Sequence, residues 1–88
     1  MPRYGIVFKP SAERDFIDLP RDTQRRTDKK LQALRDAPRG CGAIKLKGSG
    51  EFYRVRIGDY RVIYQIDDSR RIIIVAAVGN RREIYRDF

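Results

Sequence analysis

Apolar and polar positions alternate through the second half of the chain. Over residues 52–57 and 60–66, FYRVRI and YRVIYQI, the period is the two-residue repeat of a strand buried on one face. Gly58-Asp59 separates the two runs and predicts a two-residue hairpin turn. If Ile57 pairs with Tyr60, Arg56 lies opposite Arg61 and Val55 opposite Val62. Side chains two apart share a face, so Arg54, Arg56 and Arg61 point one way. Tyr53, Val55, Ile57, Tyr60, Val62 and Tyr64 then point the other way, into a core. Like charges directly opposite each other destabilise a sheet, so a fold that keeps such a pair is expected to hold an anion between them.

The first half reads differently. Residues 3–8 predict a short strand ending at Lys9-Pro10. Ser11 is a candidate cap for a helix whose apolar face carries Ala12, Phe16, Ile17 and Leu19. Leu19-Pro20 ends it, because a residue before proline avoids the α region. A second helix over about 21–37 turns Leu31, Leu34 and Ala37 inward and is otherwise charged; Pro38 and Gly40 stop it. From Cys41 onward the helical period is lost. Residues 43–47 predict a short strand, followed by a turn at Gly48-Ser49-Gly50. After the hairpin comes a turn around Asp67-Asp68-Ser69. Residues 72–78, IIIVAAV, are continuously apolar, as in a central strand covered on both faces. Residues 79–88 form a basic, amphipathic tail. The expected architecture is α+β, an antiparallel sheet with an N-terminal strand and a two-helix hairpin packed on one face, in a single domain over 1–88. If Asp68-Ser69 is the turn, Arg61 faces Ala76, leaving an open floor. The same parity carries toward Asn80 and Arg81 at the rim of the arginine face.

Charge changes the picture most. Lys and Arg number 20 against 12 Asp and Glu, a formal net charge of +8 among 88 residues, with a pI near 10.2. Both halves are basic, so the field belongs to the domain, and nucleic acid is the partner it favours. Arginines outnumber lysines 15 to 5, a bias toward bidentate phosphate contacts and stacking on bases. The 41% hydrophobic fraction suffices for one core. There is no histidine, and Cys41 is the lone cysteine, a small loop residue between two glycines. An imidazole triad and a zinc pattern are therefore excluded, and no cofactor or metal is expected. No apolar leader or spanning run stands out, so the expected location is the cytoplasm, without a membrane partner.

Several guanidiniums around one phosphate position it and stabilise charge developing on its oxygens. Arg54, Arg56 and Arg61 converge in this way, and Arg81 or Arg82 can join them; a solvated outer face is the plain alternative. Tyr85, embedded in RREIYR, can stack on a base, donate a hydrogen bond, or transfer a proton if cations lower its pKa. It can equally anchor a terminal turn. Lys45 and Lys47 alternate with Ile44 and Leu46, so they share one face and would extend the basic surface. Gly48-Ser49-Gly50 lacks the spacing of a P-loop. Asp67-Asp68 reads as turn chemistry, and Glu51 and Asp59 are the carboxylates nearest the hairpin. The helical row Arg21, Arg25, Arg26, Lys29 and Lys30 can meet backbone phosphates, although such runs are usually just solvated.

Leu46-Lys47-Gly48, then YRVRIGDYRVIYQID, an apolar strand and VGNRREIYR together resemble the RelE/ParE superfamily of toxins from bacterial toxin–antitoxin pairs. The likeness covers almost the whole chain, and the ending is similar to the RelE branch. That branch cleaves messenger RNA in the ribosomal A site without a metal, by attack of the ribose 2′-OH on the adjacent phosphate. The resemblance implies that Arg61 and Arg81 bind and stabilise the phosphate and that Tyr85 stacks on or activates the nucleotide. It adds Arg54 and Arg56 to the catalytic set and Lys45, Lys47, Arg82 and Asn80 as RNA contacts. The implied partners are a cognate antitoxin, the ribosome and mRNA. Arg54 and Arg56 stand where the best-known member carries lysines, and Asn80 where many relatives have histidine or lysine. Arginine, with a pKa above about 12, holds its proton near neutrality, so electrostatic stabilisation is the role these arginines fit. A gyrase-poisoning protein of the ParE branch and a non-catalytic nucleic-acid-binding module are the alternatives.

Overall fold

A computed structural model describes residues 3–40, 42–46 and 51–80. The alternating runs form β3 (Phe52–Ile57) and β4 (Tyr60–Asp67), paired antiparallel. Ile57 meets Tyr60, Arg56 meets Arg61 and Val55 meets Val62, the register that the Gly58-Asp59 turn dictates. Gly58 has φ 59°, while Asp59 keeps a negative φ. A glycine with positive φ at the first of two turn positions is the type II′ pattern, which suits the twist of a hairpin.

The other strands extend this pair into a mixed five-stranded sheet. β1 (Gly5–Phe8), β2 (Ile44–Lys45) and β5 (Ile72–Asn80) complete the order β1-β5-β4-β3-β2. All neighbours are antiparallel except β1 and β5, which run parallel. The apolar run therefore lies inside the sheet, as its composition suggested. Ile73, Val75, Ala76 and Val78 are buried, whereas Ile72, Ile74 and Ala77 are half-buried.

The register between β4 and β5 differs from the sequence expectation. The connecting turn spans the four residues 68–71 instead of two, so Asp67 pairs with Ile72. A bulge follows: Tyr64 pairs with Val75 but Ile63 with Ala77, leaving Ala76 unpaired. Arg61 consequently faces Gly79, not Ala76. A bulge inserts one residue and reverses the parity beyond it. Asn80 thus pairs with Tyr60 and lies on the opposite face from the arginines.

The two helices are α1 (Pro10–Ile17) and α2 (Arg21–Asp36). Pro10 takes the first helical position, where its missing N–H costs nothing, so Lys9 rather than Ser11 is the N-cap. Ala12 is buried and Phe16 half-buried, but Ile17 is 61% exposed. Five positions of α-helix rotate it about 140° from Ala12, off the packed face. Thr27, Leu31 and Leu34 form the buried row of α2, while Ala37 is exposed beyond the helix end. Ala12, Leu31 and Leu34 join Val55, Ile57, Val62, Tyr64, Ile73, Val75 and Val78 in one core. The helices thus cover a single face of the sheet, and the arginine face is turned away from them.

One corner is held by polar contacts. Arg39 donates from Nη1 and Nη2 to the two oxygens of Asp68 (3.2 and 2.8 Å), and Tyr4 donates its hydroxyl to Asp68 Oδ1 at 2.6 Å. Arg39 Nε also donates to the Tyr53 hydroxyl at 3.2 Å. This ties the loop after α2 to the β4–β5 turn. Asp67 instead shapes that turn locally, accepting from Ser69 Oγ and the Arg70 N–H. The Arg39 guanidinium first, and the Tyr4 hydroxyl second, hold the Asp68 carboxyl at about 2. A carboxylate with a depressed folded pKa stabilises above its unfolded value, near 3.9, and loses that contribution as the pH falls toward 2. Asp68→Asn should flatten the part of the acid-induced stability loss that lies between these values. Urea midpoints measured at pH 5 and 2.5 for both proteins check it; an equal drop in both would discount the contact.

Candidate nucleic-acid interface

The site is built on the outer face of the β3–β4 hairpin. Pairing of Arg54 with Ile63 and of Arg56 with Arg61 puts all three arginines and Ile63 on that face. Arg56 is exposed, Arg54 half-buried, and Arg61 only 5% exposed. Ile63, beside Arg61, is fully buried.

Arg61 is the unusual member. Its Nη1 donates to the carbonyls of Tyr60 (3.1 Å) and Gly58 (3.3 Å), while its buried Nε has no acceptor among the described residues. Arg56 Nε approaches the same Gly58 carbonyl at 3.4 Å. Two guanidiniums therefore lean on one neutral oxygen. No carboxylate among the described residues pairs with Arg54, Arg56 or Arg61. Elsewhere on the chain, arginines do find partners, as in Arg3–Asp36 at 2.8 Å and Arg39–Asp68 at 2.8 Å. A buried cation without a counter-charge is costly, and an anion brought to it recovers Coulomb energy in a low-dielectric setting. The arrangement is suited to receiving a phosphate: Arg61 is held by the turn carbonyls, and Arg56 lies exposed beside it with Arg54 half-buried on the same face.

The chain matches the family described as the ParE toxin of the type II toxin–antitoxin system parDE over residues 6–85. It belongs to the RelE/ParE toxin superfamily, on its RelE-like branch. A RelE1 toxin of Methanocaldococcus jannaschii is 34% identical over 97% of this chain and 98% of its own length. The mRNA interferase toxin RelE of Escherichia coli K12 is 28% identical over 96% of this chain and 92% of its own. Among solved structures, the archaeal RelE–RelB complex from Pyrococcus horikoshii contains a chain that superposes with a TM-score of 0.79 at 28% identity. The match covers 92% of this chain and 98% of that one. The α+β fold described above is thus the RelE fold.

Not every residue singled out from the sequence gathers on the arginine face. Lys45 pairs with Tyr53, which places it on the helix side of the sheet; its neighbour Ile44, half exposed, pairs with Arg54 instead. This register puts Lys45 on the opposite face of the sheet from Arg54, Arg56 and Arg61. Asn80 likewise lies across the sheet from Arg61, a consequence of the bulge at Ala76. Lys47, Arg81, Arg82 and Tyr85 lie outside the described residues. What the sequence reading missed is the Gly58 carbonyl as the meeting point of Arg56 and Arg61. A glycine in a tight turn was its one visible trace. Among the described residues, no helix is long and apolar enough to cross a membrane.

Proposed function

We propose that this chain is a ribosome-dependent mRNA endonuclease, the toxin of a type II toxin–antitoxin pair. The observation that carries the reading is Arg61, buried beside Arg56 with only neutral carbonyls as partners among the described residues. Membership of the RelE-like branch supports it, as does the mRNA interferase name of the E. coli relative. In this reading Arg61 seats the scissile phosphate, and Arg54 and Arg56 neutralise charge that grows on its oxygens as the 2′-oxygen attacks and the 5′-oxygen leaves. Arginine keeps its proton near neutrality, so these groups stabilise charge without exchanging protons. Tyr85 and groups of the ribosome are assigned the proton transfer, and Arg81 a second hold on the phosphate. The complex formed by the Pyrococcus relative supports a cognate antitoxin as partner, an acidic or amphipathic segment that folds against the helices and sheet.

Purified protein added to a translation extract should cut mRNA at codon-spaced positions, and Arg61→Ala should abolish the cuts. Intact mRNA at an inhibitory dose would sink the proposal. The ParE description of the matching family favours a second reading, poisoning of DNA gyrase by protein contact. Gyrase-trapped DNA breaks with uncut mRNA are its signature.

A further inference from the structure

A second cationic site adjoins the arginine face at the tip of the hairpin. Arg26, Lys29 and Lys30, at i, i+3 and i+4 of α2, share one side of that helix and line a cleft of about 480 Å³ with Arg56 and Gly58. The other described residues of the lining are Ala33 and Ile57, so no acidic side chain among the described residues contributes. The Arg26 guanidinium lies over Gly58: its Nη1, Nη2 and Cζ come within 3.5, 3.5 and 3.8 Å of the position a Cβ would take there. Both Nη atoms lie nearer than Cζ, so the guanidinium is tilted with its Nη edge toward the turn. No carboxylate among the described residues pairs with Arg26, Lys29 or Arg56. The cleft meets the Arg61 site directly, because Arg56 lines it and shares the Gly58 carbonyl with Arg61.

We propose that this cleft is a second backbone-phosphate site, occupied by the RNA strand whose neighbouring phosphate sits at Arg61. The inference rests on the RNA-directed reading above and assigns the strand a path from the outer face of the hairpin, around Gly58, to α2. Chemistry favours a nucleic-acid backbone over a protein partner. Forked guanidiniums and ammonium groups converge there, yet apolar anchoring among the described residues is confined to Ala33 and to Ile57, which the core already buries. The apolar groove lined by Ile6, Val7, Phe8, Phe16 and Ile17, where a peptide would find anchors, lies at the opposite edge of the sheet. A backbone contact of this kind positions the strand without reading its sequence.

The test uses 2′-O-methyl oligonucleotides, which cannot be cleaved, as a trinucleotide that fits the Arg61 site alone and a nonanucleotide that reaches both. Binding is followed by fluorescence anisotropy across a salt series, with the full chain and its Arg26→Gln/Lys29→Gln variant. Both positions are exposed and glutamine is a good helix former, so the fold should tolerate the change. The variant should bind the nonanucleotide about tenfold more weakly, with the slope of log K against log salt reduced by about 0.7 for each phosphate no longer neutralised. Its trinucleotide binding should fall far less. An unchanged nonanucleotide affinity and slope would overturn the proposal, as would equal weakening for both lengths. So would a polyglutamate chain whose binding alone depends on Arg26 and Lys29, since that assigns the cleft to an acidic protein segment. The extract assay separates this site from the nuclease reading. Uncut mRNA alongside the expected nonanucleotide result removes the nuclease and keeps the cleft; cut mRNA with an unchanged slope does the reverse.

Discussion

Replacing Arg61 with methionine is expected to lower mRNA cleavage about 10²–10³-fold, as for loss of one preorganised donor to a developing oxyanion. The same change should leave the fold as stable as before, or up to about 2 kcal/mol more stable. Two effects with opposite signs are at work. In the free protein, a nearly buried guanidinium meets two carbonyls, and its Nε meets nothing among the described residues. An unbranched apolar side chain of similar length fills that space without a charge to desolvate. The carbonyls it abandons belong to Gly58, which is exposed, and Tyr60, which is half-buried, so water can replace the missing donors. On the bound phosphate, by contrast, the loss of Arg61 removes the one buried guanidinium among the described residues, and the exposed Arg56 beside it replaces that charge only in part. Stability from urea midpoints and codon-spaced cleavage in an extract measure the two sides separately. Arg61→Lys keeps the charge but loses the fork, and should fall between the two. A methionine variant that loses more than about 1 kcal/mol would instead make Arg61 a structural residue.

The hairpin carrying this arginine was legible because two constraints agreed. Period-two alternation fixes which side chains share a face, and Gly58-Asp59 fixes where the chain reverses, so the Arg56–Arg61 pair followed from arithmetic. Where one constraint was missing, the reading slipped. Residues 72–78 are apolar at every position, so nothing in their pattern marks a face; the four-residue turn and the bulge at Ala76 then moved Arg61's partner to Gly79. The face of Lys45 was not legible for a related reason. β2 is only two residues long and both are exposed, so burial gives no signal of orientation, and pairing with β3 alone sets it. Thr27 is fully buried although its hydroxyl reads as polar, a matter of its place four residues before Leu31 on the packed row. Contacts made through backbone, such as two guanidiniums on the Gly58 oxygen, leave no mark on composition or spacing. The charge row on α2 was visible as a row; that it shares a cleft with Arg56 is a property of packing.

Leu34→Ala is expected to be strongly destabilising, at about 3–5 kcal/mol. Leu34 is fully buried in α2, in the cluster that joins the helices to Val55, Val62 and Tyr64. Removing its isobutyl group loses transfer energy and leaves a cavity that two short helices over a rigid sheet close poorly. At about 0.05–0.15 kcal/mol per residue, a domain of this length has roughly 4–13 kcal/mol in total, so the loss consumes a large share of it. Leu34→Met, which preserves volume, should cost under about 1.5 kcal/mol. The urea midpoint should drop with little change in slope, since the surface exposed on unfolding is nearly the same. Cleavage by the alanine variant should fall only with the folded fraction. A stabilising osmolyte such as sucrose, tested on the purified protein, should therefore restore it. The Arg61→Met loss should not respond to the osmolyte, because there the fold persists and the charge is what is missing. If sucrose refolds Leu34→Ala without restoring cleavage, then α2 packing positions the hairpin site itself, through the contact of Arg26 with Gly58.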